Sequence, residues 1–413
     1  MKYALNFPGE KLQGKVNLPS SKSISNRLLV IRALSPGGFP LARLSDSDDT
    51  QALQRGLQSS SDVIDIGHAG TSMRFLTAYF AATGWAKTIT GSERMKNRPI
   101  SDLVDALNQL GAGIVYFGKQ GCPPVRTSGK PLSGNSIEIS GNLSSQFISA
   151  MLLVAPTLPD GLTIWIKGEP VSVSYIKMTL GLMQQAGVRT TWENNVIAVV
   201  RQDYHSEGIC VERDWSAASY WYQMAALSAD AELLLEGVIG KSLQGDAVIS
   251  QMACSFGVKT AFTPEGALLT KHNNACSMLN LDFINTPDLA QTMAVTCCLN
   301  NTRFRFSGVQ TLRVKETDRI AALQNELLKL GYCIEATEPG VIEWNGKRSE
   351  PQRQPCISTY HDHRMAMAFA PAAILFPGLQ IENPEVVSKS YPNFWNDLKK
   401  IGVVRHFIFH KIE

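Results

Sequence analysis

The feature of this sequence that most constrains its fold is a helix start that recurs along the chain. A glycine-rich or polar cluster runs into a helix of small apolar residues, with copies at Gly70, Ser144, Ser216, Asp288 and Asp362. Neighbouring copies are 72 to 74 residues apart. Because solenoid repeats have periods of about 20 to 50 residues, each unit here is a larger structure than a stacked repeat.

A second pattern recurs between these helix starts. Helices end in a small apolar-Gly step and continue into β-rich residues, as in "ALNQLGAGIVYF" and "LQNELLKLGYCIEA". The glycine supplies a left-handed C-cap, and the residues after it predict a strand. With an earlier helix start at Lys22, six copies predict an α/β protein of two domains with three units each. We expect the second crossover between the two domains near "GICVERDWSAASYW". The early strand "KVNLP" fits either domain.

Composition narrows the class of protein. The 413 residues are 44% apolar and carry a net charge of +3, which is typical of a soluble globular chain and too small to indicate nucleic acid. We find no run of about 20 apolar residues and no basic-then-apolar leader. Eight cysteines without CxxC spacing favour reduced thiols over disulfides or zinc. We therefore expect a cytoplasmic protein, and a monomer because no heptad seam is visible.

Cations gather at the helix starts, although a cation there opposes the helix dipole. The cations at these positions are Lys22, Arg27, Arg98, Lys315, Arg319, Arg364 and Lys389. A phosphate group carries about −1.5 to −2 charges at neutral pH, so this set suits two phosphorylated or carboxylated ligands. The planar fork of arginine favours the same groups. On a helix, Lys315 and Arg319 would share a face, where an anion or carboxylate must offset their repulsion.

Other polar groups at these starts have two interpretations each. Ser23, Ser144, Ser145 and Gln146 could contact a phosphate or polyol, but serines before a helix are often caps. Asp288 and Glu316 are candidates for acid and base catalysis, with an N-cap as the alternative for Asp288. "YHDHRMAMAF" permits a metal site, yet no further ligand has suitable spacing, so we favour an anion clamp by the arginine.

In chain order, the motifs "SSKSISNR", "GHAGTSMR", "RMKNRPI", "SSQFISAMLL", "PDLAQTMAV", "RVKETDR", "DHRMAMAF" and "SKSYPNFW" resemble those of the 5-enolpyruvylshikimate-3-phosphate synthase family. The resemblance spans nearly the whole chain. It implies the two-domain enolpyruvyl transferase fold of class α/β, with three βαβαββ units per domain around a pseudo-threefold axis. The active site would lie in the interdomain cleft. The first domain would cover residues 20–212, and residues 1–19 plus 213–413 would form the second.

The resemblance also implies a reaction. The enolpyruvyl group of phosphoenolpyruvate is transferred to the 5-hydroxyl of shikimate 3-phosphate through a tetrahedral intermediate, with release of phosphate and no metal or organic cofactor. Asp288 is implied as the base, and Glu316 with Lys22 as the groups that handle protons at the methylene carbon. The implied shikimate 3-phosphate contacts are Lys22, Ser23, Arg27, Ser144, Ser145, Gln146, Ser172, Tyr175, Asp288 and Lys315. The implied phosphoenolpyruvate contacts are Lys22, Gly70, Arg98, Gln146, Arg319, Arg364 and Lys389.

Three positions depart from the family pattern. His68 and Thr311 stand where asparagine is usual, and Trp215 stands where a small residue is usual.

Three other functions are less favoured. A UDP-N-acetylglucosamine enolpyruvyl transferase carries a reactive loop cysteine, for which Cys122 is the candidate, although its neighbours fit the shikimate family better. A non-catalytic anion-binding scaffold of this fold predicts lost acid and base groups. A nucleic-acid binder predicts a contiguous basic stripe, whereas these cations are dispersed.

Overall fold

The computed structural model describes residues 1–7, 11–142, 144–272, 276–401 and 408–409. The helices in this described part are α1 (Lys22–Leu34), α2 (Asp48–Gln58), α3 (Gly70–Ala82), α4 (Ser101–Gln109), α5 (Ser145–Val154), α6 (Val173–Gln185), α7 (Trp215–Leu227), α8 (Ile249–Met252), α9 (Ala290–Leu299), α10 (Arg319–Lys329), α11 (His363–Phe369) and α12 (Phe394–Lys400). Over the same described residues, each helix is too short or too polar to span a bilayer.

The strands are mostly short. Those in the described residues are β1 (Lys2–Leu5), β2 (Lys11–Val16), β3 (Leu41–Ala42), β4 (Val63–Asp65), β5 (Thr88–Thr90), β6 (Val115–Tyr116), β7 (Val125–Arg126), β8 (Ser136–Ser140), β9 (Leu162–Lys167), β10 (Thr190–Glu193), β11 (Val196–Val199), β12 (Ile209–Cys210), β13 (Asp230–Glu236), β14 (Val258–Thr263), β15 (Gly266–Lys271), β16 (Met278–Asp282), β17 (Arg303–Ser307), β18 (Glu335–Glu338), β19 (Val341–Trp344), β20 (Cys356–Ile357), β21 (Leu379–Glu382) and β22 (Ile408–Phe409).

The chain divides into two compact units. The central unit is Ser20–Val211, and the terminal unit is Met1–Pro19 with Glu212–Glu413. In the central unit, β4 pairs in parallel with β5, and the antiparallel pairs β5–β7 and β7–β6 complete that sheet. The sheet β10-β11-β9-β8 repeats the plan, and β3 pairs in parallel with β12. With α3 and α4 in place, the chain order from β4 to β7 is βαβαββ, as predicted.

The terminal unit uses the same plan in three sheets, ordered β14-β15-β13-β2, β16-β17-β19-β18 and β20-β21-β1-β22. Each contains one parallel pair, such as β2 with β13 and β16 with β17. The ambiguity about the early strand is resolved, since β2 pairs along its whole length with β13 of the terminal unit. The α/β class and the repeated order of helices and strands are therefore confirmed.

The helices that follow the recurring polar clusters are buried around most of their circumference. All ten residues of α9 are buried, and so are nine of the ten residues of α5. A helix that is buried on every face has no solvent-exposed side for charged residues, which explains why α5 and α9 contain none. Its first turn carries backbone N–H groups that need acceptors, and side chains of Ser144, Asp214 and Asp362 supply them at α5, α7 and α11. Polar residues are thus concentrated at the starts of buried helices.

Trp215 fills space in the core of the terminal unit, which explains one departure from the family pattern. Its side chain is buried, and its ring stacks on Tyr222 with the centroids 6.3 Å apart. The Trp215 and Phe262 rings meet edge to face with their centroids 6.2 Å apart. Aromatic pairs at these separations stabilise a core beyond the area that they bury. The large residue is therefore accommodated between α7 and β14.

Candidate active site

Arg319 is the centre of a buried ionic network in the terminal unit. Its Nε donates to Asp362 Oδ2 at 2.7 Å, its Nη1 to Asp288 Oδ1 at 3.1 Å and its Nη2 to Glu316 Oε2 at 3.0 Å. Burial by itself lowers the pKa of Arg319, but the charges of Asp362, Glu316 and Asp288 outweigh it and raise that pKa. The guanidinium therefore stays protonated although only 2% of its side chain is exposed.

Two more cations join this network. Arg364 Nη2 donates to Asp288 Oδ2 at 2.7 Å, and Lys389 Nζ lies 3.9 Å from Glu316 Oε1. Asp288 thus bridges two guanidiniums, and Glu316 lies between a guanidinium and an ammonium group. We call Asp288, Glu316, Arg319, Asp362, Arg364 and Lys389 the ionic cluster. It brings together five residues that the sequence predicted for substrate contact or catalysis, and adds Asp362.

Exposure separates the carboxylates of the ionic cluster into two kinds. The side chain of Asp362 is completely buried, whereas those of Asp288 and Glu316 keep 16% and 17% of their surface. A general acid or base must come within hydrogen-bond reach of the proton that it moves. Asp288 and Glu316 are partly accessible, while the buried Asp362 holds Arg319 in place.

Helix starts position these side chains. Asp288 lies in the 3₁₀ turn Pro287–Leu289 that leads into α9, and Arg319 is the first residue of α10. Asp362 caps α11 by accepting a hydrogen bond from the backbone N–H of Arg364 at 2.9 Å. Lys389 ends the 3₁₀ turn Pro384–Lys389. The ionic cluster is therefore assembled from the ends of short turns and the beginnings of buried helices.

The prediction that Lys315 and Arg319 share a helical face is wrong. Asp318 Oδ1 accepts hydrogen bonds from the backbone N–H groups of Ile320 and Ala321, both at 3.1 Å, so Asp318 caps α10 and the helix begins only at Arg319. Lys315 precedes the helix, with extended backbone at φ −81° and ψ −153°. The helical spacing from which the repulsion was inferred therefore does not apply to this pair.

Asp362 is the site residue that sequence reasoning missed. It stands in the segment considered as a metal site or an anion clamp, and aspartate is also one of the preferred residues at a helix N-cap. Nothing in the local sequence distinguishes a cap from a cap that also binds an arginine 43 positions away. Within the described residues, no group of three or more His, Cys, Asp or Glu side chains is arranged to hold a metal ion.

In the central unit, Lys22 begins α1 and pairs with Asp49 of α2, with Lys22 Nζ 3.2 Å from Asp49 Oδ2. The helix is capped by Ser21, whose Oγ accepts from the backbone N–H of Ile24 at 3.5 Å. Capping thus falls to Ser21 rather than to Ser23. The nearby carboxylate compensates a cation that otherwise opposes the helix dipole. Lys22 keeps 14% of its side chain exposed, so its ammonium remains within reach of a ligand.

Arg27 lies deeper, one turn further along α1. Its Nε donates to Thr179 Oγ1 at 2.7 Å, and its Nη2 donates to Ser149 Oγ at 3.2 Å. Its Nη1 donates to the carbonyl oxygen of Ser23 at 2.9 Å, and its guanidinium carbon is 5.8 Å from the Tyr175 ring centroid. Burial lowers the pKa of Arg27 to about 10, so it remains a cation at neutral pH. Arg27 thus ties α1 to α5 and α6.

Gly70 starts α3 and permits two guanidiniums to approach its backbone. A Cβ atom added there would lie 2.5 Å from Arg98 Nη1 and 2.8 Å from Arg74 Nη1. Arg74 Nη1 also donates to the carbonyl oxygen of Gly70 at 2.6 Å. No side chain larger than hydrogen fits without moving an arginine. The structure thus brings Gly70 and Arg98 together.

The starts of α5 and α6 carry the remaining predicted residues. Ser144 Oγ accepts from the backbone N–H of Gln146 at 3.3 Å, so this serine is indeed a cap. Gln146 Oε1 is buried and accepts no hydrogen bond from any residue that the structure describes. Ser172 caps α6 with a left-handed φ of 55°, a sparsely populated conformation that tends to concentrate at functional sites. Ser145 is buried beside them, and Tyr175 lies in the first turn of α6.

Three other positions singled out in the sequence are His68, Thr311 and Cys122, and each has a different environment. His68 is exposed, with its Nδ1 2.9 Å from Ser92 Oγ. The Thr311 hydroxyl is buried and without a hydrogen-bond partner among the described residues. Cys122 is also buried, with 5% of its surface exposed. A buried thiol does not have the accessible environment that a reactive cysteine needs.

Comparison with known proteins assigns the family. The model of the EPSP synthase (3-phosphoshikimate 1-carboxyvinyltransferase) family matches residues 51–398. The chain belongs to the EPSP synthase family. A 3-phosphoshikimate 1-carboxyvinyltransferase of Bacteroides fragilis (strain YCH46) is 50% identical over 403 residues, which cover 97% of this chain and 98% of that protein. One of Shewanella pealeana is 34% identical over 431 aligned residues, covering 96% of this chain and 98% of that protein.

Solved structures of the EPSP synthase family agree in fold. An EPSP synthase from Acinetobacter baumannii superposes with a TM-score of 0.73 at 21% identity, covering 98% of both chains. A second structure of EPSP synthase from the same organism gives a TM-score of 0.74 at 20% identity over the full length of both chains. The likeness extends over nearly the whole chain, so the six-unit plan deduced from the repeats is the fold of this family.

Proposed function

We propose that this EPSP synthase family member transfers the enolpyruvyl group of phosphoenolpyruvate to the 5-hydroxyl of shikimate 3-phosphate, in aromatic amino acid biosynthesis. The observation that carries the proposal is the ionic cluster, in which three cations surround the two partly exposed carboxylates of Asp288 and Glu316. Such a site can bind an anion and move protons in the same place. Membership of the family supports this choice of substrates.

Asp288 is proposed as the base that takes the proton of the 5-hydroxyl. Its two oxygens accept from Arg319 and Arg364, so the side chain is held in one orientation by two cations. Glu316 is proposed, together with Lys22, to deliver a proton to the methylene carbon of phosphoenolpyruvate and to remove one again. Arg319, Arg364 and Lys389 are proposed to bind phosphoenolpyruvate. Asp288 and Lys315 are proposed as contacts to shikimate 3-phosphate.

The reaction balances with these roles. Proton addition at the methylene carbon makes the neighbouring carbon electrophilic, and the 5-hydroxyl oxygen bonds to it while Asp288 takes the hydroxyl proton. The tetrahedral intermediate then loses phosphate as a proton leaves the methyl group, which restores the double bond. The net products are the enol ether and hydrogen phosphate. One acid and one base suffice, so the reaction as proposed uses no metal or organic cofactor.

The helix starts of the central unit are proposed to hold the rest of the two substrates. For shikimate 3-phosphate these contacts are Lys22, Ser23, Arg27, Ser144, Ser145, Gln146, Ser172 and Tyr175. For phosphoenolpyruvate they are Lys22, Gly70, Arg98 and Gln146. Free backbone N–H groups at a helix start and the helix dipole both favour a phosphate. The buried Gln146 Oε1, which accepts no hydrogen bond among the described residues, supports a role in accepting one from a substrate hydroxyl.

The test of the function is phosphate release from phosphoenolpyruvate with two acceptors. We expect release with shikimate 3-phosphate and none with UDP-N-acetylglucosamine, using a reaction without acceptor as the blank. Mass spectrometry of the product should show an added enolpyruvyl group on the shikimate ring. Release with the sugar nucleotide alone would replace the proposed substrate, and release with neither would leave the chain as an anion-binding scaffold.

Gly70→Ala tests the phosphoenolpyruvate side of the proposal. The new methyl group must displace Arg98 or Arg74, because it would lie 2.5 and 2.8 Å from their Nη1 atoms. A shift of about 1 Å in a substrate-binding group can cost up to roughly 100-fold. We expect the KM for phosphoenolpyruvate to rise roughly 10- to 100-fold, with little change in the KM for shikimate 3-phosphate. Steady-state kinetics with each substrate varied in turn measures both constants.

Gly118→Ala is the matched control for this substitution. A Cβ atom at Gly118 would lie 3.5 Å from Pro124 Cδ, which is an ordinary van der Waals contact. Its KM values should equal those of the unmodified enzyme. If Gly70→Ala also leaves both KM values unchanged, Arg98 does not bind phosphoenolpyruvate from the position seen here.

We further propose that the chain acts as a cytoplasmic monomer whose partners are these two small molecules, without nucleic acid or membrane. Residues 20–212 and residues 1–19 plus 213–413 are proposed as its two domains. The compact units Ser20–Val211 and Met1–Pro19 with Glu212–Glu413 support that division. A sedimentation velocity experiment tests the oligomeric state, where a single species near the 45.2 kDa of one chain is expected.

A further inference from the structure

Asp246 is a buried carboxylate beside the ionic cluster that the proposed mechanism leaves without a role. It lies in the 3₁₀ turn Gly245–Val248, and 5% of its surface is exposed. Its Oδ2 accepts a hydrogen bond from the hydroxyl of Ser216. Ser216 is the second residue of α7, one of the recurring helix starts. Asp246 is therefore connected to a segment that the sequence repeats marked for function.

Ser216 connects Asp246 to the ionic cluster. Its Oγ lies 3.4 Å from Arg364 Nη2, and that same nitrogen donates to Asp288 Oδ2 at 2.7 Å. A serine hydroxyl has one proton to donate and lone pairs to accept with. When the proton points to Asp246, the lone pairs are available to Arg364. The four groups thus form the hydrogen-bonded series Asp246, Ser216, Arg364 and Asp288.

The charges that face Asp246 come from several elements. They are Asp288 before α9, Arg364 on α11 and Asp214, the cap of α7. Burial is the main cause that raises the pKa of Asp246 to about 7, and the charge of Asp288 adds to it. Arg364 and the Ser216 hydrogen bond act in the opposite direction, whereas Asp214 raises the pKa further. The protonation state of Asp246 therefore changes in the neutral range.

We propose that Asp246 is a positioning residue, which acts through the Ser216 hydroxyl to hold the Arg364 guanidinium in the orientation that binds phosphoenolpyruvate. The inference rests on the proposed function, in which Arg364 contacts that substrate. Ionised Asp246 accepts the Ser216 proton, and the Ser216 lone pairs then face Arg364. Protonated Asp246 donates to Ser216 instead, so the serine proton turns elsewhere and the contact with the cation weakens.

A stability measurement separates this role from a purely structural one. Because the pKa of Asp246 is raised above its ordinary value of 3.8, the folded state binds the proton more tightly than the unfolded state. The stability that results is present at low pH and is lost as pH rises towards 7. Asp246→Asn has no such proton, so its Tm should equal or exceed that of the unmodified protein above pH 7. If the folded protein instead depended on the negative charge of Asp246 for its stability, Asp246→Asn would lower the Tm.

The kinetic test compares Asp246→Asn, Ser216→Ala and Ser216→Thr with the unmodified enzyme between pH 5.5 and 8.5. A hydrogen bond to a charged group contributes enough free energy that its loss lowers affinity roughly 10-fold. We expect Ser216→Ala, which removes the hydroxyl, to raise the KM for phosphoenolpyruvate roughly 10-fold with little change in kcat. Asp246→Asn keeps an acceptor for the Ser216 proton but removes the negative charge, so its rise in KM should be smaller. Asp246→Asn should also abolish the inflection near pH 7 in kcat/KM for phosphoenolpyruvate. Ser216→Thr keeps a hydroxyl and should retain most of the affinity.

Asp397→Asn is the matched control, since Asp397 is a buried aspartate of the same unit that accepts a hydrogen bond from Tyr391 at 2.9 Å. It should leave the KM values and the pH profile unchanged. If the unmodified enzyme is active but Asp246→Asn keeps its KM and inflection, the positioning role is wrong and the proposed function stands. If Asp246→Asn and Asp397→Asn change the KM equally, the role is also wrong. An inactive unmodified enzyme overturns the proposed function and this inference together.

Discussion

Replacing Asp288 by asparagine is expected to lower kcat by about 100- to 10,000-fold, the range that a general base contributes. Asparagine has nearly the shape of aspartate, but its single carbonyl oxygen can accept from only one of Arg319 and Arg364, which donate to different oxygens of Asp288. It cannot take a proton from the 5-hydroxyl. The largest loss should therefore appear in kcat, with a smaller rise in the KM for phosphoenolpyruvate because one of the two arginines loses its acceptor. Phosphate release at saturating concentrations of both substrates measures it.

Asp282→Asn serves as the control for Asp288→Asn. Asp282 lies in the same unit at the end of β16, where its Oδ1 accepts from the backbone N–H of Ile284 at 2.7 Å, and asparagine can do the same. Its kcat should stay within about twofold of the unmodified enzyme, since surface substitutions of this kind have small effects. Should Asp288→Asn retain more than a tenth of the original kcat in a folded protein, another group must take the proton.

Arg319→Met is expected to lower the free energy of unfolding by about 3–5 kcal/mol, the cost of removing one partner from a buried ion pair. Arg319 donates to Asp288, Glu316 and Asp362, and the last of these carboxylates is completely buried. Methionine fills much of the space but leaves that negative charge without its main cation. Urea unfolding followed by circular dichroism measures the loss. Turnover should fall as well, because Arg319 is a proposed phosphoenolpyruvate contact.

Arg313→Met is the control, because it removes the same kind of side chain from an exposed ion pair. Arg313 Nη1 lies 3.1 Å from Asp318 Oδ2, and 46% of the arginine side chain is exposed. Pairs of this kind contribute roughly 0–1 kcal/mol, so its unfolding curve should nearly coincide with that of the unmodified protein. An Arg319→Met protein as stable as Arg313→Met would mean that the buried carboxylates do not depend on Arg319.

The order of helices and strands could be predicted from the sequence because its signals are local. Glycine after a helix, a polar residue before one and a β-rich stretch between them act over a few neighbouring residues. The prediction for Lys315 and Arg319 was wrong for a reason that is also local. Asp318 caps α10, because its side chain accepts from two backbone N–H groups. The helix therefore begins at Arg319, four residues after the start at Lys315 that the helical spacing assumed. Boundaries depend on such caps and are the least predictable part of an element.

The roles of the candidate residues were only partly visible in the sequence. The cations at the helix starts were identified, and in the structure Arg319, Arg364 and Lys389 lie around Asp288 and Glu316. Asp362 and Asp246 were not proposed as site residues, because an isolated aspartate near a helix has too many structural explanations. Their importance follows from burial and from the particular partner that each contacts.

The sequence by itself therefore determined the repeated α/β plan, the segments in which the helices start and the cations placed there, all of which depend on neighbouring residues. Only the tertiary structure decided which carboxylate meets which cation. Arg319 and Asp362 are 43 positions apart, and Asp288 and Arg364 are 76 apart, yet both pairs are in direct contact. The physical reason is that the energy of an ion pair depends on its separation in space and on its removal from water. Neither quantity can be obtained from spacing along the chain.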